Sequence, residues 1–343
     1  DYDGMSLKKI HLSNFRSFNN FTSELKSKNL IIGRNGAGKS SFLEAIFFAL
    51  TKKSFRTSSI NSLINFESDN LVVSANWNDS KIALSKEKSK SVKIHKDNLE
   101  EPKLPLSLVL NNFSLNLLEA PKENRRLFVD YILFHVEQDY KSLHLNLKKS
   151  LAQRNRALKK GSNSELKSWT KVFVEVSTKI TDIKVNFISS FVENFPLFLK
   201  SLSLPENLKD KYKFLSISFD KGWKKNLIEE LRACYAVDRK RGFTSIGPQT
   251  SDLSIKINEQ ESGNVLSRGE QKLLILLIYL FFIDMLSNIS SNTPIFLIDD
   301  LPSELDDRNL DIALNLIQDA RCQIFITSLE NLEKYEFDMV IDL

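Results

Sequence analysis

The sequence predicts an α/β fold in which one sheet-bearing unit is split by a helical insert. Three observations carry that prediction. Short extended runs separated by turns fill the first hundred residues, long helical segments replace them from about Lys122, and strands alternating with helices return in the final quarter. The expected division is a head made of residues 5–118 and 211–343, two sequence-distant halves, around a helical arm of residues 119–210.

In the first half, KKIHLSNF, NLIIG, LVVSANW, KIALSKE and SVKIHKD read as strands. One helix interrupts them, opening at GAGKSS and running through SFLEAIFFAL. In the arm, ENRRLFVDYILFHVEQDYKSLHLNLKKSLAQRNRALKKG reads as a helix ended by Gly161. SELKSWTKVFVEVSTKITDIKVNFISSFVENF reads as a second helix stopped before Pro196, with GSNS as the hairpin turn between the two. After Pro205 come the strand FLSISF, a helix around KNLIEELRACYAV, a turn at Gly247-Pro248 and the strand DLSIKIN. The final quarter holds the helix that begins in LSRGEQKLLILLIYLFF, the strand PIFLIDD, a helix at RNLDIALNLIQDA and the strand QIFITS.

A chain of 343 residues with 42% apolar and 27% charged residues has an ordinary soluble composition and is long enough for about two packed units. Its net charge of +5 permits a nucleic-acid partner without requiring one. Cys234 and Cys322 lack metal spacing and read as buried or idle thiols in a reducing cytosol. The four residues before Met5 read as a cloning remnant, and the stretch after Met5 has no signal-peptide core. The most apolar run, Leu273 to Met285, contains a tyrosine and an aspartate and falls short of the roughly 20 residues a bilayer span needs. It reads as a buried core helix, so a cytoplasmic protein with no membrane partner is expected.

Gly33-Arg34-Asn35-Gly36-Ala37-Gly38-Lys39-Ser40 fits G-x-x-x-x-G-K-[ST], with an apolar run before it and a helix after it. The glycines let backbone N–H groups close on phosphate oxygens; Lys39 is expected at the β and γ phosphates, and Ser40, followed by Ser41, at magnesium. ATP and Mg2+ are the implied ligands. The plainer reading is a glycine turn before an amphipathic helix. Pro294 to Asp300 form an apolar strand ending in two acids. Asp299 is expected to hold magnesium through Ser40 and water, and Asp300, facing the other way, to orient the attacking water. Asp300 is one methylene shorter than a glutamate, so slow hydrolysis is expected. A buried strand that merely reaches solvent at its carboxylates is the alternative.

Ser267, Arg268 and Gly269 stand at the start of a helix, where unpaired N–H groups and the helix dipole favour an anion. One nucleotide needs only one phosphate loop. The economical reading is that Ser267 touches the γ-phosphate held by Lys39 of another copy, so that two ATPs are sandwiched in a symmetric homodimer. Lys39, Ser267 and Asp300 then form the expected catalytic set. An ordinary N-cap at Ser267, with Glu270 completing a capping box, is compatible with the same spacing.

These motifs together resemble the ABC-type ATPases of chromosome maintenance, the SMC-like group, and within it the RecF family of bacterial recombination mediators. Ordered matches run through nearly the whole chain after Met5: NFRSF, GRNGAGKSSFLEAI, KSFR at 53–56, NRRLFVDYILFH at 124–135, QRNRALKK at 153–160, SFDKGW at 218–223, DRKRGFTSIGP at 238–248, LSRGEQKLL, and LIDDLPSELDD at 297–307. The resemblance implies an ABC/SMC-type P-loop ATPase head with an inserted helical arm, forming an ATP-dependent dimer that binds DNA where duplex meets single strand. It implies help for the RecO and RecR proteins in loading recombinase onto gapped DNA, in the cytoplasm at the nucleoid. Ser303 to Asp306 match a loop expected at the dimer interface, with Asp306 near the nucleotide. Arg56 is either a phosphate-facing arginine or an exposed salt-bridging one. Three departures stand out: Gln249-Thr250-Ser251 replace histidine, arginine and aspartate of the family's G-P-H-R-D-D-L; residues 104–118 offer no glutamine; and Thr327-Ser328 stand where transporters place a switch histidine.

Residues 141–171 carry nine Lys or Arg against the single acid Glu165, with Leu143, Leu147, Leu151 and Leu158 marking an apolar stripe. A solvated basic helix face is one reading. The other is a DNA-facing surface that contacts phosphates, reads DNA form rather than sequence, and weakens with salt. Two rival readings of the chain are a transporter-type ATPase, disfavoured by the arm and the missing histidine and glutamine, and a non-hydrolysing clamp in which ATP serves as glue. A nuclease is disfavoured because no second acidic or histidine metal cluster is visible.

Overall fold

The computed structural model describes residues 6–77, 80–96, 104–289 and 294–343. The remnant expected before Met5 and the end of the SVKIHKD strand beyond Lys96 lie outside these residues. The chain forms two compact units, one from Asp1–Asn116 with Arg268–Leu343, the other from Leu117–Ser267. The first stretch supplies β1 (Leu7–Phe15), β2 (Phe18–Glu24), β3 (Lys28–Ile32), α1 (Lys39–Thr51), β4 (Asn70–Trp77), β5 (Ser80–Glu87), β6 (Lys93–Lys96), β7 (Ser107–Leu110) and α2 (Asn112–Leu115). The second unit contains α3 (Lys122–Val136), α4 (Tyr140–Lys160), α5 (Asn163–Ser201), α6 (Glu206–Tyr212), β8 (Leu215–Asp220), α7 (Leu227–Ala233), α8 (Tyr235–Arg241), β9 (Asp252–Ile257), β10 (Gln260–Glu261) and α9 (Ser262–Val265). The chain returns to the first unit with α10 (Arg268–Ile289), β11 (Ile295–Ile298), α11 (Leu301–Glu304), α12 (Asp307–Gln318), β12 (Gln323–Ser328) and β13 (Met339–Asp342).

In the first unit an antiparallel sheet runs β2-β1-β4-β5-β6 and a parallel sheet runs β13-β3-β12-β11-β7. β11 and β12 are buried along their whole length, as strands covered on both faces are, which explains the unbroken apolar sequence of β11 and the apolar centre Ile324–Ile326 of β12. α1 touches strands of both sheets and is buried continuously from Phe42 to Leu50. A helix apolar all round has no solvent face to offer, and this one sits between two layers. Phe42 meets Phe18 and Phe21, and Phe48 meets Phe15. A buried amide also joins the sheets: Gln323, opening β12, donates to Leu7 O and Lys26 O at 2.7 Å and accepts from Leu7 N at 2.9 Å. The Leu273–Met285 run forms the middle of α10, with Leu273 to Ile283 buried, as the composition of that run predicts. No helix among the described residues is long and apolar enough to cross a membrane.

In the second unit, the α4–α5 hairpin and the antiparallel sheet β10-β9-β8 enclose a core built on Leu147, Phe173, Ile180, Trp223, Leu227 and Leu253. Three helix expectations are corrected here. The segment up to Gly161 breaks between Val136 and Tyr140, because Tyr140 turns back into the core and donates its hydroxyl to the buried carboxylate of Asp130, which also pairs with buried Lys184 at 2.7 Å. The second arm helix runs through Pro196 to Ser201, because its apolar stripe continues from buried Phe195, just before the proline, to buried Leu199 beyond it. The KNLIEELRACYAV helix divides at Cys234 into α7 and α8.

The boundary expected at residue 211 also differs. Residues 211–267 fall with the helices, since β8 pairs with β9 and packs on α5, while α3 is tied to β9 by Arg125, whose guanidinium grips Asp252 at 2.8 and 3.0 Å.

Candidate active site

β3, β12 and β11 are neighbours in the parallel sheet, with β12 in the middle. Loops leaving their carboxyl ends therefore converge, the usual place for a ligand on such a sheet. β3 leads into Gly33–Gly38 and α1, and β11 leads into Asp299 and Asp300.

Gly38 caps α1 with φ +109°, and a Cβ there would stand 3.0 Å from Phe18 Cζ and 3.1 Å from Ser17 Oγ. Only glycine combines that backbone with that space. Arg34, Asn35 and Gly36 are exposed on the loop, and nothing lies within 4 Å of a Cβ placed on Gly36. Lys39 is buried and folds back over the loop, donating to Gly33 O at 2.6 Å and Arg34 O at 3.1 Å. Its ammonium is held at the loop by carbonyls, a position from which it can turn to phosphate.

Ser40 Oγ donates to Asp299 Oδ1 at 2.9 Å, across 259 residues of sequence. The pairing expected for a shared magnesium is thus present between the protein's own atoms. Asp299 Oδ1 also accepts from Thr327 Oγ1 at 2.9 Å, and the same hydroxyl accepts from the backbone N–H of Asp300 at 2.8 Å. The sequence marks Thr327 only as a residue standing where transporters place a histidine. Its signal, a hydroxyl ending the apolar strand QIFITS, acquires meaning once β12 is seen between β3 and β11.

Asp300 adopts a left-handed backbone, φ +57°, which swings its carboxylate out of line with β11. Its Oδ2 accepts from Ser303 Oγ at 2.7 Å, while Oδ1 is buried and receives no hydrogen bond from the protein. A buried acceptor oxygen that receives no donor suits a group that must hold a water, and an oxygen pair of Ser40 and Asp299 suits a hard cation, so the residues present fit ATP with Mg2+. Among the described residues no group of three or more His, Cys, Asp or Glu forms a separate metal cluster.

Ser267 and Arg268 are exposed where α10 begins. Gly269, in the first turn, packs against α12: a Cβ would fall 2.6 Å from Asn309 Nδ2 and 2.8 Å from Asp306 Oδ2. Asp306 caps α12 by accepting from Asn309 N at 2.9 Å and Asn309 Nδ2 at 2.8 Å, and the Asn309 backbone N–H, then its amide, hold its carboxyl below the usual range. Lys272 of α10 pairs with Glu304 and donates to Glu304 O at 3.0 Å. The loop Ser303–Asp306 is therefore fastened at one end to Asp300 and at the other to the start of α10.

A second cluster, missed in the sequence, stands beside the phosphate loop. Glu44, on α1 and fully buried, is gripped by Arg16 through two bonds of 2.9 Å; Ser54 donates to it, and Arg56 lies 3.6 Å away. Arg56 is half-exposed and reaches Ser41 Oγ at 3.4 Å. Of the nine cations in 141–171, Arg154 is excluded from any surface role: it is buried, 3.3 Å from Asp238, and donates to Thr244 and Thr170. The other eight are exposed.

Residues 6–342 match the family described as the RecF/RecN/SMC N-terminal domain. The chain is 33% identical over 344 residues to a DNA replication and repair protein RecF of Shewanella sediminis, spanning 95% of this chain and 92% of that protein. It is 32% identical to the RecF of Colwellia psychrerythraea, spanning 95% and 88%. A solved structure of the recombination mediator RecF-ATP in the RecFOR pathway superposes with a TM-score of 0.82 at 25% identity, covering 100% of this chain and 96% of that one. An Smc head bound to a winged-helix domain of ScpA shares the fold at a TM-score of 0.54 and 16% identity, covering 98% and 94%.

Proposed function

The chain belongs to the RecF family, and from that premise we propose how it works as an ATP-binding, ATP-hydrolysing protein of DNA replication and repair: through an ATP-driven homodimer that grips DNA. The observation that carries this reading is the Ser40–Asp299 contact of 2.9 Å, which joins the phosphate loop to the acidic strand end in one site.

Ser40 and Asp299 would hold magnesium, which would supply charge neutralisation for the transferring phosphoryl group. Lys39 exchanges its hold on Gly33 O and Arg34 O for phosphate. Thr327 keeps Asp299 in place throughout. Asp300 turns Oδ1, which no protein donor occupies, to the attacking water, and its short side chain favours slow turnover. Ser267 of one copy reaches the γ-phosphate on Lys39 of the other, with Ser303–Asp306 at the same interface. Because Ser303 holds Asp300 and Glu304 holds Lys272, pressure on that interface reaches the general base directly.

DNA binds along α4, where exposed Lys141, Lys148, Lys149, Arg156, Lys159 and Lys160 contact phosphates without reading bases. DNA stimulates hydrolysis, hydrolysis releases DNA, and the RecO and RecR proteins are the partners at gapped DNA, in the cytoplasm. Solution mass by light scattering, with and without ATP and magnesium, tests this reading. Wild type should shift from monomer to dimer with ATP, and Ser267→Arg should bind ATP but stay monomeric. An unchanged mass for wild type with nucleotide bound would remove the dimer from the mechanism.

A further inference from the structure

The second unit holds a groove of about 910 Å³ lined by residues of α4, α5, α7 and α8. Its floor is aliphatic: Leu166 and Leu231 are 5% and 2% exposed, with Ile228 half-buried beside them. Its rim is cationic, with exposed Lys167 and Lys171 one turn apart on α5 and exposed Arg232 on α7. No Asp or Glu lines it. Arg154, the fourth lining cation, is occupied by Asp238 and Thr244. An apolar floor inside a positive rim is a surface that neither water nor a simple anion satisfies.

We propose that this groove docks an acidic segment of a partner protein, which lays Leu, Ile or Phe side chains on the Leu166–Ile228–Leu231 floor while its carboxylates meet Lys167, Lys171 and Arg232. The apolar anchors supply affinity, and the charges set orientation and exclude basic segments. Lys167 and Lys171 are thereby separated from the α4 cations assigned to DNA. Single-stranded nucleic acid fits the groove less well, because it binds by stacking bases on open aromatic faces. The one lining aromatic, Tyr235, is engaged: the Arg239 guanidinium lies 6.0 Å from its ring centroid and its hydroxyl is 3.3 Å from Asn163 Oδ1. Duplex phosphates would gain nothing from an aliphatic floor.

The test is to pan a phage-displayed random dodecapeptide library on the whole chain, counter-selecting on Ile228→Asp. Enriched peptides are then measured by fluorescence anisotropy on wild type, Ile228→Asp and Lys167→Glu/Lys171→Glu, with circular dichroism confirming that both variants are folded. Enriched sequences should combine Asp or Glu with Leu, Ile or Phe. The double charge reversal should weaken binding about tenfold or more, and an oligothymidylate should not displace the peptide. Absence of enrichment over the counter-selected variant, or enrichment of basic peptides, would overturn the proposal. So would displacement by oligothymidylate together with weaker oligothymidylate binding to Ile228→Asp, which would assign the groove to single-stranded nucleic acid.

Discussion

Thr327 Oγ1 donates to Asp299 Oδ1 at 2.9 Å and accepts the Asp300 backbone N–H at 2.8 Å. One fully buried hydroxyl thus orders both acids, the first through its carboxylate and the second through its main chain. Its place on the middle strand β12 is what lets it reach them.

Thr327→Val keeps the side-chain shape and removes both bonds, leaving the Asp300 N–H unpaired. Stability should fall by about 1–3 kcal/mol. Nucleotide affinity should hold, while hydrolysis drops on the order of 10–100-fold, because on the proposed mechanism a loosened Asp300 no longer orients the attacking water. Thr327→Ser should recover both. Wild-type turnover in the valine variant would show that the hydroxyl does not position the acids.

At the start of α10, Gly269→Ala and Ser267→Arg should separate packing from ligand contact. The alanine Cβ has no room beside Asn309 and Asp306, so thermal stability should drop by about 1–3 kcal/mol. Ser267 is exposed, so its replacement should leave the melting temperature unchanged while abolishing the ATP-dependent mass shift. Equal melting of Gly269→Ala and wild type would mean that α10 and α12 can part without cost.

Glu44→Gln tests the buried cluster beside the phosphate loop. Arg16 would lose its ionic partner in a site where Glu44 is fully buried, and stability should fall by about 3 kcal/mol. Urea unfolding is the measurement, with an unchanged m-value marking a native-state effect. A midpoint equal to wild type would show that the pair contributes nothing.

Alkaline titration should resolve the seven tyrosines into classes. Burial pushes Tyr279 up to about 12; burial and then the Asp311 hydrogen bond push Tyr335 up to about 12; burial, with Asp130 nearby, raises Tyr140 further. For a group raised above its unfolded value of 10.0, the stabilisation is complete below that value and is lost as pH climbs through the folded one. Absorbance at the phenolate band should show Tyr140 and Tyr279 ionising only as circular dichroism reports unfolding, above pH 10, while half-buried Tyr335 ionises in the folded chain through about 12. Simultaneous ionisation of all seven in a folded chain would refute the assignment.

The phosphate loop, its helix, the acidic strand end and the basic α4 face were legible because each is written in a few adjacent residues. Gly38 needs its left-handed backbone whatever surrounds it, and PIFLIDD is a covered strand in any α/β setting. The family resemblance rested on the same short segments. Helix limits were less legible. Pro196 marks a stop by local rule, yet α5 continues past it to bury Leu199; the chain turns between Val136 and Tyr140 because Tyr140 has a core site and a buried carboxylate waiting.

By itself, then, the sequence determined the local chemistry: which loop carries the glycines and the lysine, which strand ends in acids, which helix opens on a glycine in its first turn. The tertiary structure made the expected Ser40–Asp299 pairing a direct contact, and it alone decided the partnerships of Thr327 with both acids, Arg16 with Glu44 and Gly269 with Asp306. These residues lie between 27 and 259 positions apart where their bonds are recorded, and Gly269 meets Asp306 through packing. No local periodicity encodes such pairs. They follow from strand order, which is set by burying two sheets around one helix.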